Sequence, residues 1–212
     1  MPAKAKMVGL FVDWNSLLLG VPNDLQSNPD LASRHAINSV GKVVGKKLCS
    51  MDRDITYRVR IRLYHGWTAG VTPTANQRAI TRMPEYLNPD EIFGSTRVLS
   101  LADIEFGDRL IDAPADRLNL GLGIHLPNTF RKQRSDMPPG EKMVDTALAA
   151  DLLTWARFEP DSIALVLSSD DDVVPPLFVA EAWMKPYGGI VMLKRPRPRS
   201  ESRYLSLAGL LI

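Results

Sequence analysis

Five aspartates in this sequence stand where a carboxylate could do chemistry. Asp13 follows directly on the apolar run Met7–Val12, and Asp170 and Asp172 follow on the apolar run Ser162–Leu167. Short apolar runs of this kind read as buried strands. If both belong to one parallel sheet, their carboxyl ends open onto the same edge, where such sheets bind ligands. Beyond a strand end, alternate residues share a side, so Asp170 and Asp172 face together and Asp171 faces away. Two carboxylates on one side repel, and a hard divalent cation relieves that repulsion. Each aspartate alone could equally be a turn or a helix cap that accepts backbone N–H bonds.

Asp145 and Asp151 lie in a helix expected over Lys142–Phe158. At 100° per residue, Val144, Leu148, Asp151 and Trp155 form one stripe, with Asp151 in the centre of an apolar face. A buried carboxylate must be paired, hydrogen-bonded or near a metal. Asp145 and Asp151 are about 9 Å apart along the helix axis and about 120° apart around it, so one ion does not reach both. Asp145 is therefore assigned to the cluster, although a helix-start aspartate is an ordinary alternative. Asp151 is assigned to support, by bonding the loop after Asp13; a hydrogen-bonded core aspartate is an equal alternative. The Asn15 amide could hold a carboxylate or a metal-bound water. Four acids converging from separate segments, Asp13, Asp145, Asp170 and Asp172, favour Mg²⁺ or Mn²⁺ as cofactor. With phosphate substrates, such ions activate water and stabilise the leaving oxygen.

The rest of the chain must position these groups. It has 212 residues, 45% of them hydrophobic, and a net charge of +2, which suits one domain with a sizeable core. A single cysteine, Cys49, excludes an internal disulfide or a Cys-rich zinc site and fits a reducing, cytoplasmic setting. The apolar stretch behind the basic start is broken by Asp13 and Asn15, so no export signal is expected. No apolar run approaches the roughly 20 residues of a membrane span, so no membrane partner is expected.

Strand and helix patterns alternate. Leu25–Ser33 reads as polar with an Asn-Pro-Asp turn, and the stripe Ala36, Ile37, Val40, Val43, Val44, Leu48 as a helix. Ile55–Tyr64 alternates as a strand, with Arg58, Arg60 and Arg62 on its second face. A helix is expected from Pro73 to about Tyr86, opened by Thr72 and Pro73. Thr96–Ile104 and Leu118–Leu126 read as strands of a hairpin region, and Asn128–Gly140 as a mobile basic loop. Pro175–Tyr187 reads as a helix closed by Gly188, and Ile190–Leu193 as a strand. The expected architecture is a three-layer α/β/α sandwich with a mostly parallel central sheet. Residues 1–212 form one domain, with an insertion at 95–140 and a basic extension at 194–212.

A phosphate polymer needs cations. Arg131, Lys132 and Arg134 precede the helix of Asp145, and Lys142 stands at its start. Lys194, Arg195, Arg197 and Arg199 form a second group. An inner strand should be apolar on both faces, so the arginine face of Ile55–Tyr64 needs acidic partners or an open surface. Pairing is the expected arrangement. Homodimer contacts are expected at that face or at the apolar tail Leu205–Ile212. His35, His65 and His125 have no metal-ligand spacing and read as surface or packed residues.

Val8-Gly9-Leu10-Phe11-Val12-Asp13-Trp14-Asn15 resembles the opening strand of NYN domains, LabA-like members of the PIN-like nuclease superfamily, where an apolar run ends in Asp-Gly-x-Asn. Lys142-Met143-Val144-Asp145 resembles their Lys-Gly-Val-Asp helix start. Ser168-Ser169-Asp170-Asp171-Asp172 with Val174-Pro175 resembles their Ser-Gly-Asp-Ser-Asp-Phe-x-Pro segment. Trp14, Met143 and Ser169 depart from family glycines, and none of these departures removes a carboxylate. The resemblance covers about Met7–Tyr64 and Lys142–Leu193. It implies a PIN-like, Rossmann-like fold and metal-dependent cleavage of phosphodiesters, most often of RNA. It carries the metal-ligand role to Asp13, Asp145, Asp170 and Asp172, with Asn15, Ser168 and Asp151 in support. Trp14 could crowd the site or stack on a base. The alternative is a catalytically inactive nucleic-acid-binding or scaffolding module of the same fold. A covalent-aspartate phosphatase is disfavoured, because Asn15 fills the position of its second aspartate.

Overall fold

A computed structural model of the chain describes residues 4–70, 72–85, 91–101, 104–113, 128–131, 140–196 and 210. Its centre is a parallel sheet built from β1 (Lys4–Asp13), β2 (Ile55–Tyr64), β5 (Val98–Ser100), β6 (Glu105–Phe106), β9 (Ile163–Leu167) and β10 (Ile190–Lys194). The order is β10-β9-β1-β2-β5, with β6 also paired to β2. The register sets Val12 beside Leu167 and Asp13 beside Tyr64, and Lys194 beside Leu167. The carboxyl ends of the three strands that lead into the acidic segments and the basic tail therefore share one edge.

Helices cover both faces. On one side lie α1 (Trp14–Leu18), α2 (Asn23–Gln26), α3 (Pro29–Met51) and α4 (Ala75–Arg82). There the alternate residues Val8, Leu10 and Val12 of β1 and Tyr57, Val59, Ile61 and Leu63 of β2 meet the α3 stripe Ala36, Ile37, Val40, Val44 and Leu48. On the other side, α5 (Val144–Phe158) and α6 (Val174–Met184) pack on Phe11, Ala164, Val166 and Val191. The period of two in the strands serves both layers. At Gly9 the approach of α5 is so close that a Cβ would stand 2.8 Å from the Trp155 ring. The architecture is thus the expected three-layer α/β/α sandwich with a mostly parallel sheet. None of the helices among the described residues is long and apolar enough to cross a membrane.

Local differences have local causes. The Asn-Pro-Asp segment is no turn but the start of α3: the Asn28 side chain accepts from Asp30 N–H at 3.1 Å and Leu31 N–H at 3.3 Å, and Pro29 opens the first turn. Likewise Thr74, not Thr72, caps α4, its hydroxyl accepting from Gln77 N–H at 3.3 Å. Thr72–Pro73 is instead strand β4, paired with β3 (Thr68–Ala69). A second small sheet runs β4-β3-β7-β8, with β7 (Thr129–Arg131) and β8 (Gly140–Lys142) antiparallel. Both ends of the expected loop Asn128–Gly140 are therefore strand. The segment expected as an insertion begins inside the central sheet, as β5 and β6; the expected strand Leu118–Leu126 lies outside the described residues.

Two of the three β2 arginines, Arg60 and Arg62, are paired, while Arg58 is exposed and makes no ion pair among the described residues. Arg60 Nη2 donates to Glu105 Oε2 at 3.0 Å, and Arg62 Nη1 meets the same carboxylate. Arg62 Nη2 lies 2.9 Å from Asp151 Oδ2, which also accepts from Tyr64 Oη at 2.7 Å. Asp151 Oδ1 takes the Ile111 N–H at 2.7 Å. Asp151 therefore does not bond the loop after Asp13, as expected from sequence; it anchors α5 to β2. Arg62 is 4% exposed and Asp151 fully buried, so each is the other's condition for burial. Burial alone would lower the Arg62 guanidinium's pKa, but Tyr64, Asp151 and Glu105 around it reverse that and hold it raised. Replacing Asp151 by Ala should cost about 3–5 kcal/mol in urea unfolding, because Arg62 keeps its burial and loses a partner. The double variant Arg62→Met, Asp151→Leu should recover much of that loss; a double variant no better than Asp151→Ala would show that the pair is not the source.

Candidate metal centre

The strand edge gathers the acids by a hydrogen-bond relay centred on Asp13. Asp13 is 7% exposed, at the last position of β1 and the cap of α1. Its Oδ1 accepts the Ser16 N–H at 3.2 Å. Its Oδ2 accepts the Ser16 hydroxyl, and the Ser168 hydroxyl at 2.9 Å. Each serine passes the constraint on: Ser16 Oγ accepts Ser169 N–H at 2.9 Å, and Ser168 Oγ accepts Asp170 N–H at 3.0 Å. Two strand exits are locked to one carboxylate, and the backbone that carries Asp170 is placed by it.

Asp145, Asp170 and Asp172 each offer a carboxylate oxygen, and these oxygens lie within 4.8 Å of one another. Asp145 comes from the first turn of α5. Asp172 is turned toward Asp170 by its own N–H, which bonds Asp170 Oδ1 at 3.0 Å. Asp171 points elsewhere, to Arg195, whose Nη1 also reaches the Ser169 carbonyl at 3.3 Å. Arg195 is thus engaged in holding the loop. The pairing of Asp170 with Asp172, and the divergence of Asp171, agree with the alternation seen in the sequence.

Asp13 does not join this group. Its two oxygens take three hydrogen bonds, which tie it to the loop that carries Asp170 and Asp172. It acts on the cluster through its charge. Burial pushes the Asp145 carboxyl up to about 6, and Asp170, Asp13, Asp172 and Glu141 push in the same direction. Glu141 was not singled out from sequence. It lies on β8, where its Oε1 accepts Gly66 N–H at 2.8 Å and meets His65 Nδ1. Burial alone would raise the Glu141 carboxyl, but the bonds and charge of His65 bring it below its ordinary value. His65 is packed, as expected, against the rings of Trp67 and Phe130.

The remaining candidates separate clearly. Ser168 stands where support was expected. Asn15 is exposed at the start of α1, and its amide makes no hydrogen bond among the described residues. Trp14 is fully buried, with its ring 6.4 Å from that of Trp67, so it neither crowds the acids nor offers a stacking face. Its bulk belongs to the core because the α1 turn rotates it under the sheet, away from the strand edge. Lys142 ends β8, half-buried, with no ion pair among the described residues. Arg131 ends β7. Lys132, Arg134, Arg197 and Arg199 lie outside the described residues. Ser16 was missed, although Asp13 and Ser16 have the spacing at which a cap residue meets the third residue of a helix.

The donor set fits a hard cation. Oxygen ligands stand about 2.0–2.1 Å from Mg²⁺, so ligand oxygens must come within roughly twice that distance of each other. Rotation of Asp170 and Asp172, both exposed, covers the remainder from 4.8 Å. Comparison of the chain with models of protein families, with curated proteins and with solved structures finds no match.

A raised carboxyl has a defined linkage. The folded state binds the Asp145 proton more tightly than the unfolded chain does, so stability falls as pH rises from 3.8 to about 6. Thermal unfolding in EDTA should therefore show Asp145→Asn gaining on the wild type across that window, and staying more stable at neutral pH. Parallel pH profiles for the two proteins would count against the crowding of Asp145.

Proposed function

We propose that the chain is a divalent-cation-dependent hydrolase of phosphodiesters, with RNA the polymer to test first. The observation that carries this is the convergence of Asp145, Asp170 and Asp172 at the carboxyl edge of a parallel sheet. A bound Mg²⁺ or Mn²⁺ would lower the pKa of water and neutralise charge on the phosphate. The chain's own part is to hold the three carboxylates together against their repulsion. Asp13 does this through Ser16 and Ser168. Lys142 and the basic run of Arg131, Lys132 and Arg134 are the cations proposed to meet the phosphate backbone. The choice of RNA rests on the resemblance to NYN domains. The burial of Trp14 supports activity over the inactive alternative, since the departure from the family glycine leaves the acids unobstructed.

The test is a panel of end-labelled RNA, single-stranded DNA and duplex DNA, with Mn²⁺ or EDTA. Cleavage of RNA is expected with Mn²⁺, abolished by EDTA, and reduced at least about 100-fold in Asp170→Asn, since even residues that only orient metal ligands are worth 10–100-fold. Cleavage by Asp170→Asn at the wild-type rate would remove the cluster from the mechanism.

A further inference from the structure

A cavity of about 110 Å³ opens on the α3 side of the sheet, and its lining includes none of the three clustered aspartates. It is nonetheless built on the same backbone. Leu17 in its wall follows Ser16, and Leu167 precedes Ser168, the two serines that hold Asp13. Lys194 in its wall is the last residue of β10, and its carbonyl accepts Ser168 N–H at 3.2 Å. The cavity therefore adjoins, from the α3 side, the strand exits that lead to Asp13 and to Asp170 and Asp172.

The lining has a definite chemistry. Val21, Val40 and Val43 make apolar wall. His35 and Ser39, one turn apart on α3, add an imidazole and a hydroxyl, and Lys194 adds an ammonium. Neither Lys194 nor His35 makes an ion pair among the described residues. The volume is far below the roughly 300–1,000 Å³ of a site for a drug-sized ligand, and suits one flat ring system. A ring with polar edges that carries a phosphate matches all three features: faces against valines, edge toward Ser39 and His35, phosphate toward Lys194.

We infer that this cavity seats one nucleotide of the substrate strand, beside the linkage that the acidic cluster addresses. That the occupant belongs to a phosphodiester substrate rests on the metal-dependent hydrolase reading. The arrangement explains why a cation that makes no ion pair among the described residues ends the strand next to the one that leads into Asp170 and Asp172: the pocket holds the base with its phosphate toward Lys194, and the cluster meets the adjoining phosphate.

The experiment separates the two readings. The full chain, ¹⁵N-labelled and in EDTA, is titrated with adenosine and cytidine monophosphates, their deoxy forms, and ribose 5-phosphate. Nucleotides should shift the amides of Val21, Ser39 and Lys194, and ribose 5-phosphate, which lacks the ring, should bind at least about tenfold more weakly. Ser39→Trp, which fills the mouth from an exposed helical position, should weaken nucleotide binding by about tenfold or more while its Mn²⁺ isotherm matches the wild type. Val43→Trp tests the same from a second rim position. Equal affinity for ribose 5-phosphate, shifts elsewhere, or unchanged binding in both tryptophan variants would overturn the inference. Nucleotide shifts in the pocket with no Mn²⁺ isotherm in the wild type would instead uphold the pocket and sink the metal reading.

Discussion

The acidic edge depends on one buried carboxylate and the donors that satisfy it. Asp13 could not be 7% exposed and charged without hydrogen bonds, since desolvating an unpaired carboxylate costs several kcal/mol. Its three donors come from the turn into α1 and from the exit of β9. Satisfying the carboxylate therefore fastens two segments far apart in sequence, at the one place where both leave the sheet. The serine hydroxyls each donate once and accept once, so neither is spent on Asp13 alone. Their accepting sides fix the Ser169 and Asp170 amides, and the loop with Asp170 and Asp172 follows from that.

The same logic recurs one strand away with opposite sign. Arg62 is a cation on an inner strand, where an apolar residue would be the simpler choice. It survives there because Asp151, Tyr64 and Glu105 surround it. An apolar replacement of the whole group could be as stable. What the charged version adds is connection: Glu105 brings in β6, and Asp151 brings in both α5 and the turn at Ile111. The helix that carries Asp145 is thus tethered to β2 six residues further along, at Asp151. Asp145 is held from below by an ion pair that never touches the cluster.

Much of this was legible in the residues. The apolar runs before Asp13 and Asp170, and the strict alternation of Ile55–Tyr64, give three strands of the sheet and the edge they share. Asp151 in the middle of an apolar stripe announces a buried partner, and the arginines of β2 announce the need for acids. Neither names the other, because the pairing of Arg62 with Asp151 depends on which face of α5 meets β2. Short-range chemistry was misread where two local readings compete, as at Asn28-Pro29-Asp30, which suits a turn as well as a capped helix. Trp14 reads as a residue that could crowd the site or stack on a base because its neighbours in sequence are site residues, while the structure buries it in the core. The bond between Gly66 and Glu141 spans 75 residues and belongs to a second sheet that the pattern of short strands does not reveal.

The position of Asp145 pits two electrostatic effects against each other. A carboxylate in the first turn of a helix is ordinarily favoured by the helix dipole, by about 0.3–1 kcal/mol at an exposed site. That effect lowers a carboxyl's pKa, yet this one stands at about 6, so burial and neighbouring acids outweigh the dipole. The chain accepts a further local cost to put it there. Met143, the residue before α5, adopts φ +61°, a left-handed conformation that disfavours side chains with a Cβ by roughly 1–2 kcal/mol. Its hold is the hydrogen bonding on either side: the Lys142 carbonyl takes Asn128 N–H at 3.1 Å, and the Met143 carbonyl takes Ala147 N–H at 2.9 Å. Strain in the backbone and repulsion among the acids both fall on one short stretch of chain. A fold under selection for stability alone could remove both with a glycine at Met143 and an asparagine at Asp145. The repulsion at Asp145 is of the kind that a bound divalent cation would offset.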